Sequence, residues 1–448
     1  MTDASKAGLV RAAMPSGGLF AGQAWRVGAG PLALGVAVTR ELEGLGRVFL
    51  QLYRAVNQLY RRSVDGREPA WVAALLDQGK PEELVRWQRL HGLRNEIPRV
   101  IRPDVLLVED GLAVSELDSV PGGIGVTQWL NETYAGLGDE VVGGPDGMMR
   151  GFAGIFGDAP CVHLVVSEEA RSYRPEMEWL AARLGPRFRV VGQDHGIVPD
   201  GDAVYRFFEL FDVASVPSAG RWFEAASEGR LRVTPPPRPI FEEKLLFALL
   251  WNRNLRDFWR RELGEAFLQR LLRIVPRSWV VDPSPMPPHA AVPGLDLTDW
   301  RQMKEWSQRE RERILKVSGY SPLAWGSRGV HLGSDLSREE WSRAVDEAIA
   351  AWPRSPYILQ EYRRPRSLPV AWVDDAGTTR AMAARVRLCP YYFVHGEGDV
   401  ARTVLGGVLA TACPADKKII HGMSDAVLVP CSAGEPTETV MEKGQGNA

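Results

Sequence analysis

The segment Arg102-Pro-Asp-Val-Leu-Leu-Val-Glu-Asp-Gly-Leu-Ala-Val-Ser-Glu-Leu-Asp118 constrains the chain more than any other. Two apolar runs flank Glu109-Asp110-Gly111, which is the signal of a β-hairpin. A three-residue loop with Gly111 in the left-handed conformation would pair Val108 with Leu112. That register sets Asp104 opposite Glu116, and strand alternation puts Asp118 on the same face. Carboxylates about 5 Å apart do not all stay ionised unless a cation lies among them. An oxygen-only donor set suits Mg²⁺. The alternative is a solvated hairpin with ordinary surface acids, against which the neighbours Leu106, Leu107, Val114 and Leu117 argue for burial. Arg102 shares the face, as a salt-bridge partner or an anion-binding group.

Composition narrows the partners. The 448 residues are 45% hydrophobic and 25% charged with a net charge of −2, an ordinary globular mixture. Nucleic-acid binding normally asks for a basic surface, so no such partner is expected. Residues 14–35 are interrupted by Pro15, Gly17, Gly18, Gly22, Gly28, Gly30 and Pro31, which does not read as a signal peptide. The purest apolar run, Leu245–Trp251, is far short of the ~20 residues that span a bilayer. A cytoplasmic chain with no membrane partner is expected. Cys161, Cys389, Cys413 and Cys431 form no CxxC pair, and no Cys/His cluster has zinc-ligand spacing. Buried thiols are the reading for Cys389 and Cys413.

The length suggests about three units of roughly 150 residues. Residues 36–95 read as helix, with Leu42, Leu45, Val48, Phe49, Leu52 and Tyr53 at spacings of three and four. Residues 160–215 read as a βαβ unit: strand Cys161–Val166, a helical stripe of Met177, Leu180, Ala181 and Leu184, then strand Phe188–Val191. Pro235-Pro-Pro-Arg-Pro239 reads as an extended linker. Phe241–Trp259 reads as helix, Ile314–Val317 as strand and Ser318–Gly333 as a Gly/Ser-rich loop. Ser337-Arg-Glu-Glu340 is a capping box opening a helix, and Tyr357–Tyr362 is the next strand.

Lys316 ends its strand directly before the glycine-bearing loop Trp325–Gly333. Backbone N–H groups of such a loop, with a lysine beside them, can cradle an anion. The spacing is neither a P-loop nor, in Gly122-Gly-Ile-Gly125, a dinucleotide fingerprint. Lys244 lies among apolar residues and either snorkels or joins a site. Gln360-Glu361-Tyr362 ends a strand with a polar tip able to meet a base or ribose. No histidine is assigned a catalytic role, and His421 reads as structural.

Taken in order, these pieces resemble the circularly permuted ATP-grasp proteins related to glutathionylspermidine synthase. They run R-x-D, E-x-D, E-x-K-L-L-x-A-L-L-W, L-K…G-S-R-G-V and Y-I-L-Q-E-Y. The resemblance covers about residues 96–135 and 236–430, and more loosely the βαβ unit between. It implies an α/β chain with an N-terminal helical region (1–95) and metal-binding hairpin strands of the ATP-grasp core (96–150). A βαβ, pre-ATP-grasp-like domain (151–234), nucleotide-binding lobes (235–430) and a C-terminal tail (431–448) would follow. It implies that Asp104, Glu116 and Asp118 hold Mg²⁺. Arg102 would stabilise the transferring phosphoryl group or the tetrahedral intermediate. Lys244 and Lys316 would hold ATP phosphates, and Gln360, Glu361 and Tyr362 would contact adenine and ribose. Ser327, Arg328 and Gly329 would belong to a loop closing on the phosphates. Asp118 departs from the family's usual asparagine. Arg385, Arg387 and Arg402 are further anion-binding candidates. The activity implied is ATP- and Mg²⁺-dependent ligation of a small-molecule or peptide carboxylate to an amine through an acyl phosphate. A catalytically silent ATP-binding module and an ATP-grasp phosphotransferase are the alternatives.

Overall fold

The computed structural model describes residues 2–14, 25–287, 289–324, 328–418, 420 and 425–436. Its centre is a large mixed sheet whose spine is two long antiparallel strands, Thr379–His395 and Arg402–Pro414. Val100–Val108 pairs antiparallel with the first of them, and Gly111–Asp118 closes that side as the hairpin partner. Ser367–Val373 continues the same edge. On the other side Val427–Ser432 pairs with Arg402–Pro414, and the short strands Arg26–Val27 and Leu32–Ala33 add to it in parallel.

Successive side chains of a strand point to opposite faces, and here each face finds a helix. Tyr392 packs on the long helix Val36–Val64, and its hydroxyl donates to the Leu42 carbonyl at 2.5 Å. Phe393, on the opposite face, packs so closely on Gly151 of helix Gly147–Gly154 that a Cβ there would lie 2.1 Å from its ring. Helix Ile124–Gly136 shares that second face. The apolar stripe read in Val36–Val64 is the buried one, with Leu42, Leu45, Val48, Phe49 and Tyr53 all at or near zero exposure.

Two smaller sheets flank this core. One is parallel, in the order Phe188–Gly192, Val162–Val166, Ala203–Phe207, Arg232–Thr234, with helix Arg174–Leu184 crossing over. The other is antiparallel, in the order Val330–Leu332, Arg313–Val317, Tyr357–Glu361, Ser278–Val280. Helix Arg338–Ala351, opened by the Ser337 capping box, lays Trp341, Val345 and Ala348 on it. No helix among the described residues is long and apolar enough to cross a membrane.

Three expectations are corrected. The proline run 235–239 is no exposed linker: residues 233–241 are buried, and Arg238 donates to the carbonyls of Leu93, Arg94 and Glu96. The N-terminal region is not wholly helical, because two of its segments are strands of the large sheet. Residues 431 and 432 belong to the strand Val427–Ser432 rather than to a tail. Residues 437–448, Ser327 and His421 lie outside the described residues.

Candidate functional site

The hairpin reaches its expected pairing by a different route. The turn is two residues long, so Val108 faces Gly111 and not Leu112. The register then shifts between Asp104 and Val105: Val105 faces Val114, Asp104 faces Glu116, and Ser115 is left over as a bulge. Arg102 faces Asp118. Gly111 sits at φ 123°, as the turn requires.

Arg102, Asp104, Glu116 and Asp118 line one cavity of about 430 Å³ together with Lys244, Arg387, Cys389 and Tyr391. Its far wall is the C-terminal end of the parallel sheet and the segments that follow, with Ser167, Glu169, Phe207, Phe208 and Glu209. Each hairpin acid meets a cation. Arg102 lies 3.3 Å from Asp104 and 2.9 Å from Asp118. Arg387 lies 3.0 Å from Asp104, and Lys244 2.9 Å from Glu116. The Cys389 thiol, pushed up to about 12 by burial and then by Asp104, points its weak donor at that carboxylate at 3.5 Å.

The two aspartates part company electrostatically. Burial disfavours the Asp104 charge, but Arg387 and Arg102 outweigh it and hold the carboxyl below its ordinary range. For Asp118 burial wins over Arg102, with Glu116 and Asp104 adding to it, and the carboxyl lies above its ordinary range. The smaller part, from Glu116 and Asp104, is the like-charge stress expected when carboxylates crowd one site. The three carboxylates do not close on one another to the 4.8 Å that a ready-made three-ligand cage would show.

The lysines come from the chain's other half. Lys244 opens helix Leu245–Trp251, donates to the Ala324 carbonyl at 2.8 Å and pairs with Glu116. Lys316 donates to the Ser115 carbonyl at 2.9 Å and to Gln360 Oε1 at 2.8 Å. The lysines thus flank adjacent residues of the hairpin. Burial pushes the Lys316 ammonium down from its usual 10.5 to about 8; Glu116 opposes the fall and Lys244 adds to it. Burial also works against the Lys244 charge, but Glu116 outweighs it and holds that ammonium above its usual range.

Glu243, beside Lys244, fixes the start of the Ser318 loop: it accepts from Gly319 N at 3.0 Å and from the Ser318 hydroxyl. Its other oxygen pairs at 2.5 Å with Lys80, so the N-terminal helices buttress this corner. Gly329 belongs where the loop rejoins the sheet, since a Cβ there would lie 2.4 Å from Val317. Arg328 pairs with Glu169 of the cavity wall at 3.3 Å, which ties the loop across the opening. Gln360 is buried against Lys316 and Ser278. Lys316, Gln360, Glu361 and Tyr362 are not among the cavity's lining residues. The Tyr362 hydroxyl is buried without a hydrogen-bond partner.

Of the three further arginines, Arg387 is in the site, while Arg385 donates to the Lys417 carbonyl and Arg402 is exposed at a strand start. Sequence reasoning missed Cys389, Tyr391 and Glu209. Residues 387, 389 and 391 alternate along one strand, and that period was the available signal. Glu209 carried no signal; burial, with Glu242 and Asp118, holds its carboxyl well above the ordinary range.

No family model and no curated protein matches the chain. Among solved structures, a putative gamma-glutamylcysteine synthetase from Methylobacillus flagellatus KT matches at TM-score 0.40 and 13% identity, over 87% of this chain and 92% of that one. A glutathione synthetase-like effector from Globodera pallida, in its apo form, matches at TM-score 0.50 and 12% identity, over 91% of this chain and 90% of that one. The second likeness spans nearly the whole of both chains, so this chain has the fold of a glutathione synthetase-like protein.

Proposed function

We propose that the chain is an ATP- and Mg²⁺-dependent carboxylate–amine ligase with a circularly permuted ATP-grasp core, working through an acyl phosphate. The observation that carries this reading is the meeting of two distant lysines with the acidic hairpin: Lys244 pairs with Glu116, and Lys316 donates to the adjacent Ser115 carbonyl. More than 120 residues separate Lys244 from Glu116, yet they are 2.9 Å apart. A likeness in fold to a glutathione synthetase-like protein supports the same class of chemistry.

Asp104, Glu116 and Asp118 are the residues that would hold magnesium, which supplies neutralisation of phosphate charge. Their fit rests on the all-oxygen donor set and on the burial, with Glu116 and Asp104 adding to it, that keeps Asp118 above its ordinary range. Lys244 and Lys316 bind and orient the nucleotide phosphates, which replace their present partners Glu116 and Ser115. Arg102 and Arg387 each keep a buried Nε–H without a partner, donors suited to an oxyanion. The substrate carboxylate attacks the γ-phosphate, an amine then attacks the acyl carbon, and an amide, ADP and phosphate leave. Arg102 stabilises charge as it develops, which speeds the step without tighter ground-state binding.

Hydroxylamine tests the reading. With Mg²⁺, ATP and a panel of amino acids and short peptides as carboxylates, a ligase yields a hydroxamate together with ADP. ADP without hydroxamate would point to a phosphotransferase, and nucleotide binding without turnover to a silent module.

A further inference from the structure

Outside this cavity, at the opposite end of the parallel sheet, lies a group of side chains that the reaction does not use. Cys161 directly precedes the strand Val162–Val166, and His163 is its second residue, so the two share a face by strand alternation. Asp202 directly precedes the neighbouring strand Ala203–Phe207. One ligand atom from each of Cys161, His163 and Asp202 lies within 4.8 Å of the other two. His163 Nε2 is 2.9 Å from Asp202 Oδ2, and the Cys161 backbone N–H donates to Asp202 Oδ1 at 3.2 Å. The loop after Phe188–Gly192 lays His195 over His163, with ring centroids 5.0 Å apart and Nε2 3.1 Å from His163 Nδ1. His163 and Asp202 are buried, and Cys161 is the one of the four cysteines that is partly exposed.

We propose that Cys161, His163 and Asp202 form a zinc-type metal site, with His195 holding the His163 ring in place. The donor set of thiolate, imidazole nitrogen and carboxylate oxygen is one that Zn²⁺ takes in tetrahedral geometry, with water as the fourth ligand. His163 would ligate through Nε2 and donate from Nδ1 to His195 Nε2, the outer hydrogen bond that ligating histidines commonly make. Both rings remain neutral, with one proton shifting from the ε to the δ nitrogen in each. The single proton released is that of the Cys161 thiol. Five-residue strands put this group about 16 Å from the cavity end of the sheet. The metal therefore ties two strand starts together and takes no part in the ligation chemistry. The sequence hides the site because Cys161-x-His163 is only a pair, and the third ligand, Asp202, comes from the start of a neighbouring strand 39 residues on.

The test uses the full chain, stripped of metal by chelator and titrated with Zn²⁺ or Co²⁺ alone in the presence of excess Mg²⁺. One equivalent should bind, raise the melting temperature and, with cobalt, give a thiolate-to-metal charge-transfer band. The band should vanish in Cys161→Ser and persist in Cys389→Ser. Asp202→Asn should weaken binding at least tenfold, and His195→Gln by 10–100-fold with the band retained. In the wild-type chain, Zn²⁺ should also slow alkylation of Cys161, a measurement that needs no variant. No binding, a band that follows another cysteine, or alkylation indifferent to Zn²⁺ would overturn the proposal.

Discussion

Glu116 faces Asp104 across the hairpin because Ser115 is bulged out of the ladder and shifts the register by one. Were Ser115 paired in the ladder instead, the two-residue turn would set it opposite Asp104 and send Glu116 to the other face of the sheet, since a slip of one inverts every side chain. Deleting Ser115 lets Glu116 follow Val114 directly and still face Asp104, at the cost of the carbonyl that holds Lys316, so Mg²⁺-dependent ADP formation should persist with weaker ATP binding. Ser115→Ala keeps both the residue count and the backbone carbonyl that Lys316 uses, and should keep most of the activity. Loss of ADP formation in both variants would show that the Ser115 hydroxyl, and not the pairing of Glu116 with Asp104, matters.

Lys316 offers a pH signature. Its ammonium titrates near 8 in the free protein, so charge is present below that pH and lost as pH rises through it. Nucleotide binds the charged form and raises that value, so ATP affinity should fall between pH 8 and 9, with proton uptake on binding. Lys316→Ala should weaken ATP binding by about 1–3 kcal/mol at pH 7 and flatten this dependence. Calorimetry at several pH values checks both, and unchanged affinity in the variant would rule out the role.

Much of this was readable in advance, for identifiable reasons. Strong local periodicities, the Val36–Val64 stripe and the Ser337 capping box, formed as expected because local preference and tertiary packing agree there. The Asp104–Glu116 pairing was reached through two misreadings that cancel, a turn one residue too long and an unsuspected bulge. The proline run was misread because prolines in an extended segment look alike whether solvated or buried; what settles the matter is Arg238, which binds three carbonyls from a distant segment. Arg387 and Cys389 were unplaceable because pairing of the strands 379–395 and 100–108 is a long-range contact with no local marker.

Glu176 is a stability test away from the chemistry. From helix Arg174–Leu184 it accepts from Gly125 N at 2.8 Å and Gly123 N at 3.1 Å, pinning the turn that carries Gly122 to the cavity. Glu176→Ala leaves these amides unpaired, each at a cost of about 1–3 kcal/mol. A clear drop in melting temperature is expected, with a weaker loss of turnover per folded molecule.

Arg102→Ala separates mechanism from charge balance. Arg387 still pairs with Asp104 in the variant, so the charge left unpaired is chiefly that of Asp118. ATP affinity should stay near normal while turnover falls on the order of 10²-fold. A destabilised protein with ordinary turnover would mean that Arg102 serves only to neutralise the hairpin.

The most direct test is a crystal structure with Mg²⁺ and a non-hydrolysable ATP analogue. The account predicts metal held by Asp104, Glu116 and Asp118, with Lys244 moved from Glu116 onto a phosphate and Lys316 beside it. Nucleotide bound elsewhere, or bound here with the Lys244–Glu116 pair intact and no metal on the hairpin, would contradict it.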